Sequence, residues 1–547
     1  MSSPIVVVNV SVTAAPAPST LQSTGALISQ GGTNLAAQST SLLTQLSDLT
    51  PLLAAPILLA SLSSSGTTAT ATLESTTIAS GSYNSTTGLV TLTLAASVGI
   101  EAGNPIYISG ATGTGAYADI DGTFNAASVT NSGETVTFFI ATGLTMTISG
   151  GDASATTGLA DGAAFLTNIA GSSTAGYNGN VVATVASATT FTFTVASGLT
   201  SPAVGSITFT PPTQADLLSM ATTFFGQGGG QAVYVLELGA GTPAQGVTAL
   251  TTFITANPSM FYAYLMPRQW DAVSSFLAFL AGFEALTSKT YFFITTSLAN
   301  YASYTKAMKC AFLMVEAPST NNGGTRPVTE FSAAAPFHVA LSYNPSTTNK
   351  VTPMAFSFLY GVTPYPLVGN STLFSTLKAA GVNWVGTGAE GGIATSILFW
   401  GTTADVNQFT YWYSVDWVQS NIDLALSNAI INGSNNPANP LLYNQQGINA
   451  LQGVAAATMS SGVSYGLVLN GPVLTALTSA QLAAALDAGT YVGLTVVNAW
   501  PFASYATANP SNYQAGIYGG FTVVYTPQLG FEQIIFNVNV SQFPSGT

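Results

Sequence analysis

The sequence predicts an α/β core with a partly parallel sheet, interrupted by an inserted, internally doubled all-β region and carrying extended β-strand arms at both termini. Three observations predict it. From Pro211 onward, helix-period stretches alternate with fully apolar ones, the rhythm of βαβ units. Between about Thr76 and Thr210 the chain is rich in Thr, Ser, Gly and Val, with alternating apolar residues and frequent turn signals, as in all-β domains. At the two ends apolar and polar residues alternate strictly, so that Val6, Val8, Val10 and Val12 share one strand face and Ile534, Phe536, Val538 and Val540 another.

In chain order, residues 1–20 read as an N-terminal strand arm and linker, since AAPAPST after the strand is a Pro-containing spacer. Residues 21–75 read as the first part of the α/β body, with short helical patterns over 33–60 broken at Pro51 and Pro56. The all-β region spans 76–210, and its two halves look related. Ile108–Thr145 and Ile169–Thr200 each run from I-x-G through a Gly-containing turn, a Val strand and a Thr/Phe strand to G-L-T. Two copies imply paired β units, not a solenoid.

A central α/β domain follows over 211–370. TQADLLSMATTFFG reads as a helix with Thr213 as N-cap, stopped by the glycines of Gly226–Gly230. AVYVLELG is then a buried strand. Helices in TPAQGVTALTTFITAN, WDAVSSFLAFLAGFEAL and LANYASYTKAM precede strands in FYAYLMP, TYFFITT and CAFLMVEA. Gly226–Gly230 precedes its strand and lacks a Gly-Lys-Ser/Thr ending, so it is a turn and not a phosphate loop. Residues 371–530 form a C-terminal α/β domain, and 531–547 the C-terminal strand arm.

Composition narrows the function. Charged residues are 5% of the chain against 47% hydrophobic, so the surface is Ser, Thr, Asn, Gln and Gly, and the chain has too little charge to be disordered. A net charge of -13 argues against nucleic acid as partner, because binding a phosphate backbone needs clustered Lys and Arg. All seven basic residues, Arg268 to Lys378, lie in one central span. That is either drift in a charge-poor sequence or a surface facing acidic groups on a neighbouring subunit. One cysteine, Cys310, excludes a disulfide framework. No signal peptide is visible, and LLAAPILLASL (Leu52–Leu62) is too short to span a bilayer. The expectation is a soluble protein without membrane insertion.

Titratable groups are too sparse for a catalytic site. His338 has no acid near it in sequence, one His and one Cys cannot make a zinc set, and Asp119 and Asp121 suit hairpin turns better than calcium. Asp416 and Asp423, seven apart, would share a face of a helix, but a glycosidase pair has no other support. The expectation is no enzyme, no cofactor and no metal.

The stretch Leu377–Ile431 is the most informative. It holds Ala380-Gly381-Val382-Asn383, a strand ending in Trp400-Gly401-Thr402-Thr403, an acid at Asp405, the aromatic run Tyr411-Trp412-Tyr413 and a long helix from about Ser414. This order resembles the contractile tail sheath proteins of bacteriophages and related injection systems, with their A-G-V-N turn, W-G-x-R-T strand end, following Asp and long helix. Thr402 replaces the family's Arg, and Asp416-Trp417 stands where basic residues are common. The stretches Tyr443–Asn470 and FFGQGGGQAVYVLELG are similar to further family elements, so the resemblance covers residues 1–75 and 211–547.

The resemblance implies a structural subunit that polymerises helically around an inner tail tube and contracts on a baseplate signal without nucleotide. Terminal arms would add strands to sheets of neighbouring subunits, and an arm of about nine residues reaches about 30 Å. The implied partners are further copies of the chain, the inner tail tube protein, and baseplate and tail terminator proteins. The implied location is the virion tail, assembled in the host bacterial cytoplasm. A surface-layer or virion-decoration protein is the alternative class, and an enzyme with a minimal site around His338 a weaker one.

Overall fold

A computed structural model describes residues 21–239, 241–283, 289–318, 326–366, 371–388 and 393–532. The arm positions Val6, Val8, Val10, Val12, Ile534, Phe536, Val538 and Val540 lie outside the described residues. The chain divides into two units. Among the described residues the larger comprises Ser23–Tyr343, Pro353–Phe409 and Gly530–Glu532, and the smaller comprises Leu21–Gln22, Asn344–Thr352 and Thr410–Leu529.

In the larger unit the chain forms β1 (Gly25–Ser29) and β2 (Ser39–Leu43) and then enters a long β excursion. This runs through β3 (Ile57–Ser65), β4 (Thr68–Leu73), β5 (Ser75–Asn84), β6 (Leu89–Leu94), β7 (Pro105–Gly115), β8 (Gly122–Asn125) and β9 (Ser128–Thr130). It continues through β10 (Thr135–Phe139), β11 (Met146–Ala155), β12 (Ala164–Ala170), β13 (Gly179–Ser187), β14 (Thr190–Thr194) and β15 (Thr208–Phe209). The chain then returns for β16 (Val233–Glu237), β17 (Ala263–Leu265), β18 (Tyr291–Thr296), β19 (Ala311–Val315), β20 (Val382–Gly388) and β21 (Ile393–Phe399).

The α/β part is one eight-stranded sheet in the order β2-β16-β1-β17-β18-β19-β20-β21. Neighbours from β16 to β20 pair in parallel, and β2 and β21 close the edges antiparallel. Taken in chain order, the parallel strands lie 2-1-3-4-5-6. The connection direction therefore reverses beside β1, and right-handed crossovers place Pro212–Gly226 and Pro243–Ala256 on opposite faces. With helices on both faces, central strands carry unbroken apolar runs. Every residue of YFFITT in β18 and AFLMV in β19 is buried. Phe293 of β18 stacks on Phe312 of β19 at 4.7 Å and meets Phe337 at 5.4 Å and Phe409 at 5.6 Å.

The β excursion begins at Ile57, not at Thr76. Residues 33–60 contain β2, two short 3-10 turns (Leu46–Asp48 and Thr50–Leu52) and the start of β3 in place of the expected helices. Leu43 pairs with Val233 at the sheet edge, and Ile57, Leu59 and Leu62 enter a barrel core, so tertiary burial overrides the local helical spacing. That barrel closes in the order β12-β13-β14-β4-β3-β15. The strands between β4 and β12 make a second sheet in the order β8-β7-β11-β5-β6-β10-β9. Its end strands β8 and β9 are consecutive in the chain: Ala126 N donates to Asn104 O and Ala127 N to Thr137 O, so this stretch bridges the two ends. Counting β8 and β9 as one interrupted strand, the ring β5-β6-β10-β9/β8-β7-β11 matches β3-β4-β14-β13-β12-β15 strand for strand.

Two local expectations differ. The helix after Pro211 begins at Pro212 with Pro211 at the cap, so Thr213 lies inside its first turn. LANYASYTKAM forms only the 3-10 turn Tyr301–Ser303 before β19.

The smaller unit packs helix Gln445–Ser464 on a three-stranded sheet of β22 (Pro472–Thr475), β23 (Thr495–Ala499) and β24 (Phe521–Val524). β22 runs parallel and β24 antiparallel to β23, so both outer strands keep a free edge among the described pairings. Gln452 reaches from the helix to donate to Thr475 O at 2.9 Å and Val497 O at 2.8 Å. The long helix Phe409–Ser434 carries the chain from one unit to the other, and the division falls at Thr410 rather than residue 371 because β20 and β21 complete the large sheet. The run Tyr411-Trp412-Tyr413 lies within this helix and does not precede it. No described helix is long and apolar enough to cross a membrane.

Candidate functional site

The motif positions converge at the β19-β20-β21 edge. Helix Ser371–Ala379 ends before Gly381, which has φ 68°. A Cβ at Gly381 would sit 2.5 Å from Thr403 O and 2.8 Å from Ala404 O, so both backbone conformation and space require glycine. Val382 opens β20 opposite Leu313. Asn383, fully buried, donates through Nδ2 to Leu313 O at 2.9 Å and Thr402 O at 2.7 Å, and its Oδ1 accepts from Thr402 N at 2.8 Å.

The second half of the motif is a closed lap. Trp400 and Gly401 both have positive φ, 76° and 64°, and a Cβ on Gly401 would meet Ala355 N at 2.9 Å. The Thr403 hydroxyl donates to Asp405 Oδ1 at 2.6 Å, and Asp405 also accepts from Asn407 N at 3.1 Å and Nδ2 at 2.7 Å. Ala404 N ties the lap to Ala311 O at 2.9 Å, and Phe409 N returns to Gly401 O at 2.9 Å as the long helix starts. Thr402 is buried, and its hydroxyl oxygen has no protein partner among the described residues.

Sequence reading missed what this lap holds. Gln408 clamps Gly530, donating from Nε2 to Gly530 O at 2.9 Å and accepting from Gly530 N at 3.0 Å. Glu532, two residues on, accepts from Gln408 Nε2 at 3.2 Å and pairs with Lys378 Nζ at 3.1 Å. Lys378 also lies 4.1 Å above the Trp400 ring. A lone Gln gives no signal in a sequence, because its partner is 122 residues away.

A second polar centre lies where the sheet's winding reverses, beyond the carboxyl ends of β1 and β17. Gln30 donates to Gly241 O and Thr242 O and accepts from Trp270 Nε1 at 2.7 Å. The loop after β1 turns at Gly31, φ 80°. Inside it sits the Glu237 carboxylate, 1% exposed, which accepts from Ser29 Oγ at 2.7 Å, Gly31 N at 2.7 Å, Thr33 Oγ1 at 2.7 Å, Thr33 N at 3.2 Å and Gly239 N at 2.8 Å. A cleft of about 230 Å³ adjoins this loop, lined among others by Gln30, Gly31, Thr242, Gln245, Thr123 and Asn125. The sequence signal that could have found it is Gly31-Gly32, one residue after the apolar ALIS.

The basic residues are in part accounted for within the chain. Arg268 forks onto Glu316 with two 2.7 Å bonds and also contacts Asp216, while Arg326 reaches Glu316 at 3.5 Å and donates to Ala317 O at 2.8 Å. Burial pushes the nearby Glu330 carboxyl above the ordinary range, opposed by hydrogen bonds from Thr363. Arg268, Arg326 and Lys378 each have an acidic partner within the chain, which favours drift over a surface facing a neighbouring subunit for these three.

The catalytic candidates stay apart. His338 is buried on helix Ala334–Leu341, with Nδ1 3.3 Å from Ser342 Oγ and Phe224 edge-on at 5.0 Å; burial lowers its pKa. The Cys310 thiol is pushed up to about 12 by burial and faces Leu280 O at 3.8 Å, so it is no thiolate nucleophile. Asp121 accepts from Ala111 N at 2.9 Å, a turn contact, and Asp416 is buried while Asp423 is exposed. Among the described residues no group of three or more His, Cys, Asp or Glu side chains could hold a metal.

No protein-family model and no curated protein sequence matches the chain. Among solved structures, the crystal structure of the sheath tail protein Lin1278 from Listeria innocua is similar to it with a TM-score of 0.34 and 12% identity, over 81% of this chain and 85% of that one.

Proposed function

We propose that the chain is the structural subunit of a contractile phage tail sheath, polymerising helically around an inner tube by strand exchange and shortening to drive the tube into the host envelope. The observation that carries this reading is the convergence of Gly381, Val382, Asn383, Trp400, Gly401, Thr403 and Asp405, positions shared in order with that family, into one hydrogen-bonded lap. Through Gln408 the lap grips Gly530, where the chain departs for the C-terminal arm. A lap so placed fixes the root of an arm that must transmit force to a neighbour. The free edges of β22 and β24, with Val473 and Leu474 exposed, offer unpaired backbone to an added strand.

The partners under this reading are identical subunits, the inner tail tube protein, and baseplate and tail terminator proteins. Location is the virion tail, after assembly in the bacterial cytoplasm. The β excursion is an insertion of two related units, supported by their matching strand order. Electron microscopy of the purified full-length protein and of variants lacking residues 1–13 or 531–547 tests the reading. Tubes from the full chain and their loss in either truncation are expected. Tubes unchanged by both truncations would sink the strand-exchange mechanism, and flat lattices from the full chain would point to a surface-layer or decoration protein.

A further inference from the structure

Open parallel sheets present their ligand position outside the carboxyl ends of the strands, where the winding reverses. In this sheet that position falls between β1 and β17, and the loop following β1 has the make-up of an anion nest. Two backbone N–H groups, Gly31 and Thr33, and two hydroxyls, Ser29 and Thr33, converge on one point, with Gly239 N from the end of β16 as a fifth donor. Five donors converging in a buried loop would be costly if left without an acceptor. The acceptor present is Glu237, a side chain of the same chain 204 to 208 residues away from the loop.

None of the five partners is a cation, so the carboxylate is stabilised by the loop's dipoles in the manner of a bound anion. We infer that Ser29–Thr33 is an anion-binding site whose resident ligand is the chain's own Glu237 carboxylate, and that it accepts a small oxyanion once that carboxylate is removed. A polar cleft adjoins the loop at Gly31, one of the five donors. While Glu237 stays in place, the donors of the Ser29–Thr33 loop are occupied from within. The inference is independent of the assembly reading, since it concerns a single chain.

Chemical rescue tests it. Full-length wild-type, Glu237→Ala and Glu237→Gln proteins are unfolded thermally in sodium chloride and in sodium formate or inorganic phosphate of equal ionic strength. Glu237→Ala should melt several degrees below wild type in chloride and recover at least half of that loss in ~100 mM formate, as expected for an anion that binds only the folded state. Glu237→Gln, whose amide still fills the space, should not recover, and wild type should gain nothing beyond the chloride control. Equal responses of wild type and Glu237→Ala to formate and phosphate, or no anion-specific recovery of Glu237→Ala, would overturn the inference. Should Glu237→Ala fail to fold in chloride, its refolding yield with and without formate is the readout, and an unimproved yield counts against it.

Discussion

Asn383 shows why one amide can define the edge of a sheet. Its three hydrogen bonds satisfy the Leu313 carbonyl of β19 and the carbonyl and N–H of Thr402 just after β21, all in buried residues. Asn383→Ala strands those groups, so we expect a loss of about 2–4 kcal/mol in denaturant unfolding of the large unit. His338 gives a second test, because it is the single histidine. Burial lowers its pKa from the ordinary 6.5, so the unfolded chain takes up the proton first as pH falls. The stability from neutral His338 is therefore complete above pH 6.5 and declines as pH drops below it. Wild type and His338→Gln should differ by a constant amount above pH 6.5. Below it wild type should lose ground at up to about 1.4 kcal/mol per pH unit, as unfolding curves of the two proteins at matched pH would register.

Among the elements, those that sequence reading places correctly are the ones whose local pattern and tertiary role agree. The strands YFFITT and AFLMV could only be buried on both faces, and the βαβ rhythm around them follows. The lap was legible as a string of motif residues, yet its grip on Gly530 was not, because side-chain clamps across 122 residues leave no periodic trace. The same holds for Ile57 and Leu58 at the start of β3, read as helical, whose partners Phe209 and Thr208 lie at the far end of the excursion. Charge distribution left two readings open for a related reason, since clustering in sequence says nothing about which acids face Arg268 in space. The clamp itself yields a prediction. Gln408→Ala removes two hydrogen bonds to a single backbone residue, a cost of about 1–2 kcal/mol in unfolding. Under the sheath reading it loosens the arm root, so tube yield by electron microscopy should fall far more than stability does. Tubes at wild-type yield would show that Gln408 has no part in assembly.

At the scale of the molecule the β excursion is nested. The sheet of β5–β11 sits between β4 and β12, which belong to one closed barrel, and that barrel is itself set between β2 and β16 of the large sheet. Strands of the inner unit pair only with one another. Its entry and exit are adjacent, Ala155 N donating to Glu74 O at 3.0 Å, which is the geometry that lets a module be inserted into a fold without disturbing it. The two units nonetheless share apolar contacts, since one buried cluster contains Leu62 and Phe191 of the outer barrel with Val90 and Phe138 of the inner. Excision of residues 75–155, rejoining Glu74 to Thr156, should therefore leave a folded chain with a cooperative but lower melting transition. If the large sheet and the arms carry assembly and the excursion is an outward appendage, the excised protein should still form tubes, of smaller outer diameter and unchanged axial repeat in electron micrographs. Loss of tubes by an excised protein whose circular dichroism shows an intact fold would place the inner unit at a subunit contact instead.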